Sequence, residues 1–188
     1  MFTAAIFILL DMRFAEFGIR TFNPEFITGI KILNLPAEEW VLFFVVPYTC
    51  IFLFEFLNVK FRGFEKNNLF TAVSLVFFVL FAGVAYLGRQ KPYSFFAFFL
   101  LTIYFGYTVF RNRFKPHYTW FYLTYIIALV PFLIVEGILT ALPVINYNTA
   151  HILGIYVFTI PIEDFAYFFL LLLMNATIYE YLKQQKFY

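Results

Sequence analysis

Five long apolar runs restrict what this chain can fold into. An α-helix needs about 20 apolar residues to cross the roughly 30 Å of hydrocarbon in a bilayer. Five runs reach or approach that length, and only short polar links separate them: 40–57, 69–87, 93–110, 118–142 and 165–182. With 63% hydrophobic and 13% charged residues, the composition excludes an ordinary soluble domain. We therefore predict an all-α, polytopic transmembrane helical bundle embedded in a lipid bilayer.

The charged residues predict how the helices are oriented. The formal net charge of +2 is small and spread over short loops, so we expect no nucleic-acid partner. If the runs alternate across the membrane, most basic residues fall on one side: Lys60, Arg62, Lys66, Arg111, Arg113, Lys115, Lys183 and Lys186. Because cytoplasmic loops carry an excess of Lys and Arg, we predict a multi-pass inner-membrane protein with its C-terminus in the cytoplasm.

An internal repeat organises the chain. The stretch that begins at Asp11 matches the stretch that begins at Glu136, without a gap, at a constant shift of 125 positions. The matched pairs are Asp11 with Glu136, Asn23 with Asn148, Gly29 with Gly154, Pro36 with Pro161, Glu38 with Glu163, Glu39 with Asp164, and Glu55 with Glu180. An apolar background would not align such scarce residues in one register, so the match indicates a true repeat.

The repeat predicts the architecture in more detail. At the same shift Met1 falls on Ile126, inside a predicted span, and the run 93–110 has no counterpart in the first half. We predict two parallel three-helix repeats joined by a linker helix, with the first repeat incomplete at its N-terminus. The expected units are residues 1–57, the linker helix in 58–92, and the second repeat in 93–188. An upstream segment or a second chain would supply the missing helix.

Paired acids follow a proline in each repeat and admit a purely structural interpretation. Proline suits the first turn of a helix, and acidic residues there interact favourably with the helix dipole. On that interpretation four acids would merely start two helices: Glu38, Glu39, Glu163 and Asp164.

Two further acids do not fit that interpretation. Glu136 lies about six residues before the end of its run, roughly 9 Å below the surface, and Asp11 is its counterpart. A carboxylate at such depth is costly and normally faces the bundle interior. All six acids gather toward one end of the bundle, where desolvation and mutual repulsion favour the protonated form. A protonated carboxyl group beside hydrocarbon is a Brønsted acid for an apolar substrate.

The motifs resemble those of a known family over essentially the whole chain. The twin helix starts "PAEE" and "PIED", with the lead-ins "FNPEFITGI" and "YNTAHILGI", are similar to the signature of the integral-membrane, non-flavin lycopene cyclase domain. That family includes heterodimeric carotenoid cyclases and fused tandem forms. The chain is identified as a member on two separate motifs at the family's spacing.

The resemblance implies an enzyme of carotenoid biosynthesis, a lycopene β-cyclase acting as an intramolecular lyase or isomerase. An acid protonates the terminal C1=C2 bond of lycopene or a related linear carotenoid, the C5=C6 bond closes the ring, and a base removes a proton. The overall reaction consumes no cofactor, and the sequence has no G-x-G-x-x-G turn for binding a dinucleotide. We expect no metal either, because His117 and His151 are too few and too far apart in sequence.

The candidate catalytic residues are the six acids: Glu38, Glu39, Glu163, Asp164, Glu136 and Asp11. We expect one acid to donate a proton while a neighbour is ionised, and expect Glu38 and Glu163 to be most sensitive because the first motif acid is Glu in both copies. Aromatic rings just after the acids are candidates for binding substrate and stabilising a carbocation: Trp40, Phe43, Phe44, Phe165, Tyr167 and Phe168.

Two other functions fit the same pattern. A bundle of two parallel repeats with intramembrane acids also suits a small proton-coupled transporter. An incomplete first repeat would also suit a non-catalytic, carotenoid-binding subunit.

Overall fold

Six α-helices account for most of the described chain. The computed structural model describes residues 2–61, 63, 66–111 and 113–185. The helices are α1 (Phe2–Glu16), α2 (Ala37–Lys60), α3 (Asn67–Leu87), α4 (Pro92–Arg111), α5 (Tyr118–Ala141) and α6 (Ile162–Gln185). The short strands are β1 (Arg20–Phe22), β2 (Lys31–Ile32), β3 (Leu35–Pro36), β4 (Ile145–Tyr147), β5 (Tyr156–Val157) and β6 (Ile160–Pro161). The predicted all-α, polytopic bundle is confirmed.

The five longest helices, α2 to α6, coincide with the five apolar runs. Each is long and apolar enough to cross a membrane, and α1, with 15 residues, is shorter. Successive helices run in opposite directions, so α2, α4 and α6 begin at one end of the bundle, which we call the acid end. Among the described residues the opposite end carries Lys60, Lys66, Arg111, Arg113, Lys115 and Lys183. Arg62 and Lys186, which were predicted for the same side, lie outside the described residues, as does Met1.

The core is aromatic and centres on α6. Phe169 on α6 contacts rings from three other helices, with centroid distances of 5.6 Å to Phe81, 5.5 Å to Phe105 and 4.9 Å to Phe121. These edge-to-face contacts add to the dispersion and burial energy of the rings. They hold α3, α4 and α5 around α6, and thereby fix the position of the acids on its first turn.

In each repeat a hairpin leads into the last long helix. Strand β2 pairs with β3, and β5 pairs with β6, in the same antiparallel register. The turns contain Leu33 at φ 59° and Phe158 at φ 58°, and the preceding glycines, Gly29 and Gly154, have φ of 80° and 77°. Two unrelated loops would not share these left-handed residues at a shift of 125 positions. The repeat is therefore present in the backbone as well as in the sequence.

A two-stranded ladder joins the two repeats. In it Thr21 of β1 faces Asn146 of β4, its own counterpart in the second repeat. Two further bonds obey the same symmetry: Asn23 donates its N–H to the Val144 carbonyl at 2.9 Å, and Asn148 donates to Ile19 at 3.0 Å. Such self-complementary pairing is what a two-fold axis between the repeats produces. The residue limits drawn for the repeats and the linker helix stay a prediction.

Candidate active site

A cavity of about 400 Å³ lies between α2, α5 and α6 at the acid end. Its polar lining consists of Thr49, midway along α2, and a cluster at the acid end: Asp11, Arg20, Glu39, Tyr93, Glu136, Asp164 and Tyr167. The rest of the lining is almost entirely apolar and includes Leu42, Phe43, Val46, Cys50, Leu53, Ile127, Ala128, Pro131, Phe132, Phe168 and Leu171. Along α2 the lining extends from Glu39 to Leu53, about 21 Å at 1.5 Å per residue. The shape suits a long apolar molecule whose end meets the acids.

A buried ion pair closes one side of the acid cluster. Arg20 Nη1 donates to Asp11 Oδ2 at 2.6 Å, and the Tyr167 hydroxyl donates to Asp11 Oδ1 at 2.9 Å. Asp11 is only 1% exposed, so both of its oxygens depend on these donors. Burial opposes the charge on Arg20, but the neighbouring carboxylates raise the pKa of the guanidinium well above its ordinary value. Arg20 is therefore a permanent cation in the cavity wall.

Glu39, from the first repeat, has weaker partners than Asp11. It is buried on the first turn of α2, and its Oε1 lies 3.9 Å from Arg20 Nη2. That separation is too long for a hydrogen bond but close enough for electrostatic attraction. Glu39 thus shares the single arginine with Asp11.

Two phenols hold Asp164, the counterpart of Glu39. Tyr93, on the first turn of α4, donates its hydroxyl to Asp164 Oδ1, and Tyr147 on β4 donates to Asp164 Oδ2 at 2.7 Å. The ladder sets the position of Tyr147 because it pairs directly with Arg20, whose guanidinium carbon lies 5.5 Å from the Tyr147 ring centroid. Two hydroxyl donors favour the ionised form of Asp164.

Glu136 reaches the same cluster from α5 with little support. It is half-buried, and its Oε1 lies 3.4 Å from the Tyr147 hydroxyl oxygen. Within the described residues it forms no ion pair with Lys, Arg or His. Of the four acids that line the cavity, Glu136 is the one with neither an ion pair nor a hydrogen bond shorter than 3.4 Å among the described residues.

The first acid of each motif lies outside the cavity lining. Glu38 Oε1 accepts the backbone N–H of Thr28 at 2.8 Å, and Glu163 Oε1 accepts the backbone N–H of Leu153 at 2.7 Å. These donors are counterparts in the repeat. Glu163 also accepts the hydroxyl of Ser94 from α4. Both first acids therefore tie the lead-in loop to the start of the helix, while the second acids face the cavity.

The predicted aromatic residues divide in the same way. Phe43, Tyr167 and Phe168 line the cavity, whereas Trp40, Phe44 and Phe165 do not. Phe168 stacks on Phe132 of α5 with a centroid distance of 4.7 Å and an interplanar angle of 8°. A stacked pair therefore forms part of the apolar wall.

Three polar residues of the cluster were missed as site residues in the sequence: Arg20, Tyr93 and Tyr147. Arg20 falls on Ile145 at the repeat shift, so the repeat gave no signal for it. Tyr147 belongs to the "YN" lead-in, which offered a signal, but its role depends on the ladder partner. Tyr93 sits at the start of an apolar run and gave no signal, because no stretch of the sequence aligns with that run at the shift of 125 positions.

Comparison with known proteins gives one match. The model of a family described as lycopene cyclase matches residues 1–57 and 90–182, which include both hairpins and the four acids of the cavity. No curated protein and no solved structure matches the chain.

Proposed function

The chain belongs to the lycopene cyclase family, and from this premise we propose that the cavity is the active site of a membrane-embedded lycopene β-cyclase. The family makes the protein a carotenoid cyclase and the substrate a carotenoid. The proposal adds that the enzyme protonates a linear ψ-end of lycopene or a related carotenoid and closes it to an ionone ring. The observation that carries it is the placement of four carboxyl groups at the polar end of an otherwise apolar cavity.

Glu136 is the proposed proton donor. A carboxyl group is acidic toward an alkene only if it holds its proton while the substrate binds. Asp11 has Arg20, and Asp164 has two phenols, whereas Glu136 has one long contact to Tyr147. Glu136 lies on a membrane helix, and its anion has neither an ion pair nor a short hydrogen bond, unlike the anions of the other three acids. Of the four acids it therefore favours the neutral form most. Its O–H bond breaks as a C–H bond forms at C2, and the positive charge develops at C1.

Asp164 is the proposed base. The C5=C6 electrons form the C1–C6 bond, the charge moves to C5, and loss of the proton at C6 gives the β-ring. Asp164 Oδ2 and Glu136 Oε1 each lie within 3.4 Å of one hydroxyl oxygen, that of Tyr147. A single ring can therefore meet the donor and the base together, which proton addition and removal at nearby carbons require.

The cavity wall supports the cationic intermediate. The aromatic residues Phe43, Tyr167 and Phe168 line the cavity, and each cation–π contact that such a ring makes is worth about 0.5 to 2 kcal/mol. Glu39 contributes negative charge that only one distant arginine nitrogen offsets. Exclusion of water by the apolar lining protects the cation from hydration.

The exposure of one face of α2 favours an additional transmembrane helix as a partner. Phe44 and Tyr48 on α2 are 44% and 75% exposed and lie outside the cavity lining, while their counterparts on α6, Phe169 and Leu173, are 3% and 0% exposed. On α6 this face is covered by α4, which also supplies Ser94 to Glu163. An additional transmembrane helix, from an upstream segment or a second chain, would cover α2 in the same way and complete the first repeat.

Expression in cells that accumulate lycopene tests the function. The chain is expressed alone and together with any upstream coding sequence, and the pigments are separated by chromatography. We expect cyclic carotenoids, with a higher yield when the α2 face is covered. Lycopene that stays unchanged with membrane-inserted protein in both cases would contradict the proposal and favour a transporter or a binding subunit.

The same cells can report membrane orientation. We propose that the basic end, with the C-terminus, faces the cytoplasm of an inner membrane. A cysteine placed at His151, at the acid end, is expected to react with an impermeant reagent only from the non-cytoplasmic side. Labelling from the cytoplasmic side alone would reverse the orientation.

A further inference from the structure

A proton-initiated cyclisation leaves its catalyst in the wrong protonation state. After one ring has formed, Glu136 has lost a proton and Asp164 has gained one. The next substrate needs the opposite arrangement. The enzyme must therefore remove a proton from Asp164 and return one to Glu136 in each cycle.

One hydroxyl group lies between the two acids. The Tyr147 hydroxyl oxygen is 2.7 Å from Asp164 Oδ2 and 3.4 Å from Glu136 Oε1. A phenol has one hydrogen to donate and lone pairs with which to accept. With Asp164 ionised and Glu136 protonated, Tyr147 donates to Asp164 and accepts from Glu136, so both contacts are satisfied. After ring closure both bonds reverse their direction.

We propose that Tyr147 relays the proton from Asp164 back to Glu136 and so resets the enzyme after each ring. This inference rests on the proposed function. In the reset, the Asp164 O–H bond breaks as the Tyr147 oxygen gains that proton, and the original Tyr147 O–H bond breaks as Glu136 gains its proton. Tyr147 ends as a neutral phenol, Asp164 as a carboxylate and Glu136 as a carboxylic acid. No oxidant, reductant or net proton is required.

The surroundings of Tyr147 suit a relay. Pairing with Arg20 across the ladder fixes the backbone, and the guanidinium lies over the ring, so the hydroxyl stays between the acids. Burial, together with the carboxyl groups of Asp164 and Glu136, raises the pKa of Tyr147 well above its ordinary value, despite the nearby arginine. Tyr147 therefore remains a phenol at neutral pH, with a proton to pass on.

Tyr93 provides a matched control. Its hydroxyl also donates to Asp164, and its ring stacks on Tyr147 with a centroid distance of 5.9 Å. Among the described residues it makes no hydrogen bond with Glu136, so it supports Asp164 without bridging two acids. The variants Y147F and Y93F each remove one hydroxyl from Asp164, but only Y147F breaks the path to Glu136.

The experiment compares the first turnover with later turnovers. The active membrane-embedded enzyme is reconstituted in vesicles with lycopene, and ring formation is measured with enzyme in excess and with lycopene in excess, which separates chemistry from later steps. Y147F should form its first ring at about the rate of Y93F, because each variant removes one hydroxyl from Asp164 and Glu136 already holds a proton. Its steady-state rate should then fall by about 10²-fold, as expected for a lost proton-transfer group.

The control defines the outcomes. Y93F should slow the first and later turnovers by the same factor, so that their ratio stays that of the wild type. If Y147F also keeps the wild-type ratio, Tyr147 only positions Asp164 and the relay is excluded. If the wild-type enzyme forms no ring at all, the proposed function fails, and this result is distinct from failure of the relay.

Discussion

The two repeats share one scaffold but offer different chemistry. In both, a proline-led helix begins after a hairpin, and a first acid accepts a backbone N–H from its own lead-in loop, at 2.8 Å for Glu38 and 2.7 Å for Glu163. The second acids differ. Glu39 shares a distant arginine, whereas Asp164 accepts two phenol hydroxyls. The symmetry of the repeats therefore sets the positions of the acids. The neighbours that differ between the repeats determine how strongly each acid binds its proton.

That asymmetry is what the reaction needs. A redox-neutral cyclisation adds a proton at one carbon and removes one at another, so its donor and base must have different proton affinities. Asp11 and Glu136 are counterparts, yet Asp11 is paired with Arg20 at 2.6 Å and Glu136 has no ion pair among the described residues. The position that corresponds to Arg20 in the second repeat is Ile145. One arginine on one side therefore gives Asp11 an ion pair that Glu136 lacks among the described residues.

The largest expected effect comes from removing the base. Asp164→Asn keeps the size of the side chain but cannot accept a proton from the ring, so we expect turnover to fall by about 10² to 10⁴-fold. Glu39→Gln, its counterpart, should cost much less because Glu39 acts only through its charge. Rates are measured in vesicles and normalised to folded protein. Equal losses in the two variants would mean that the repeats are chemically equivalent.

Removing the single buried arginine tests the charge asymmetry. Arg20→Met leaves Asp11 buried without a counter-charge, and breaking such a pair typically costs about 3 to 5 kcal/mol. The control, Arg13→Met, breaks the exposed pair with Glu16, for which we expect less than about 1 kcal/mol. Thermal unfolding in detergent measures both. If Asp11→Asn does not restore stability to Arg20→Met, the unpaired carboxylate is not the cause.

The Ser94 hydroxyl distinguishes the two first acids. It donates to Glu163 from another helix, whereas the backbone N–H and the hydroxyl of Thr28, which donate to Glu38, both belong to the lead-in loop of Glu38 itself. Ser94→Ala should therefore destabilise the protein by about 1.5 to 3 kcal/mol, the usual range for a hydrogen bond to a charged group. Ser74→Ala, which removes a buried bond to the Tyr122 hydroxyl, should cost about 0.5 to 1.5 kcal/mol. A smaller loss for Ser94 than for Ser74 would show that the contact with Glu163 is unimportant.

The smallest expected effect tests the shared scaffold. Leu33 and Phe158 occupy the left-handed region at counterpart positions, and both side chains are exposed. Glycine removes the steric cost of that conformation, so Leu33→Gly and Phe158→Gly should each stabilise the protein by up to about 1 kcal/mol. Chemical unfolding should give the same sign and nearly the same size for both. Opposite signs would mean that the two hairpins are not equivalent in solution.

The sequence predicts the helices and the location of the site well. Runs of about 20 apolar residues leave the backbone no alternative to a helix in lipid, and all five runs became helices. The ungapped repeat also predicted that the acids gather at one end of the bundle. Four of the six predicted catalytic residues line one cavity: Asp11, Glu39, Glu136 and Asp164.

The remaining features depend on tertiary structure. Consecutive residues on a helix point about 100° apart, so the pattern of paired acids cannot tell which of Glu38 and Glu39 faces the cavity. Strands β1 and β4 have three residues each, too few to show alternation. The partnership of Arg20 with Tyr147 follows from the two-fold ladder and was not predictable. The greater sensitivity expected of Glu38 and Glu163 stays a prediction, which the geometry disfavours.

Two double variants test whether the second acids of the motifs, and not the first acids, carry out the cyclisation. In the active form of the enzyme, Glu39→Gln with Asp164→Asn removes both second acids, and Glu38→Gln with Glu163→Gln removes both first acids. Each is expressed in lycopene-accumulating cells, and cyclic carotenoid is measured per amount of membrane-inserted protein. We expect loss of the second acids to abolish ring formation. Loss of the first acids should lower the protein yield but leave the number of rings formed per enzyme within about 10-fold of the wild type. The reverse pattern would contradict this expectation.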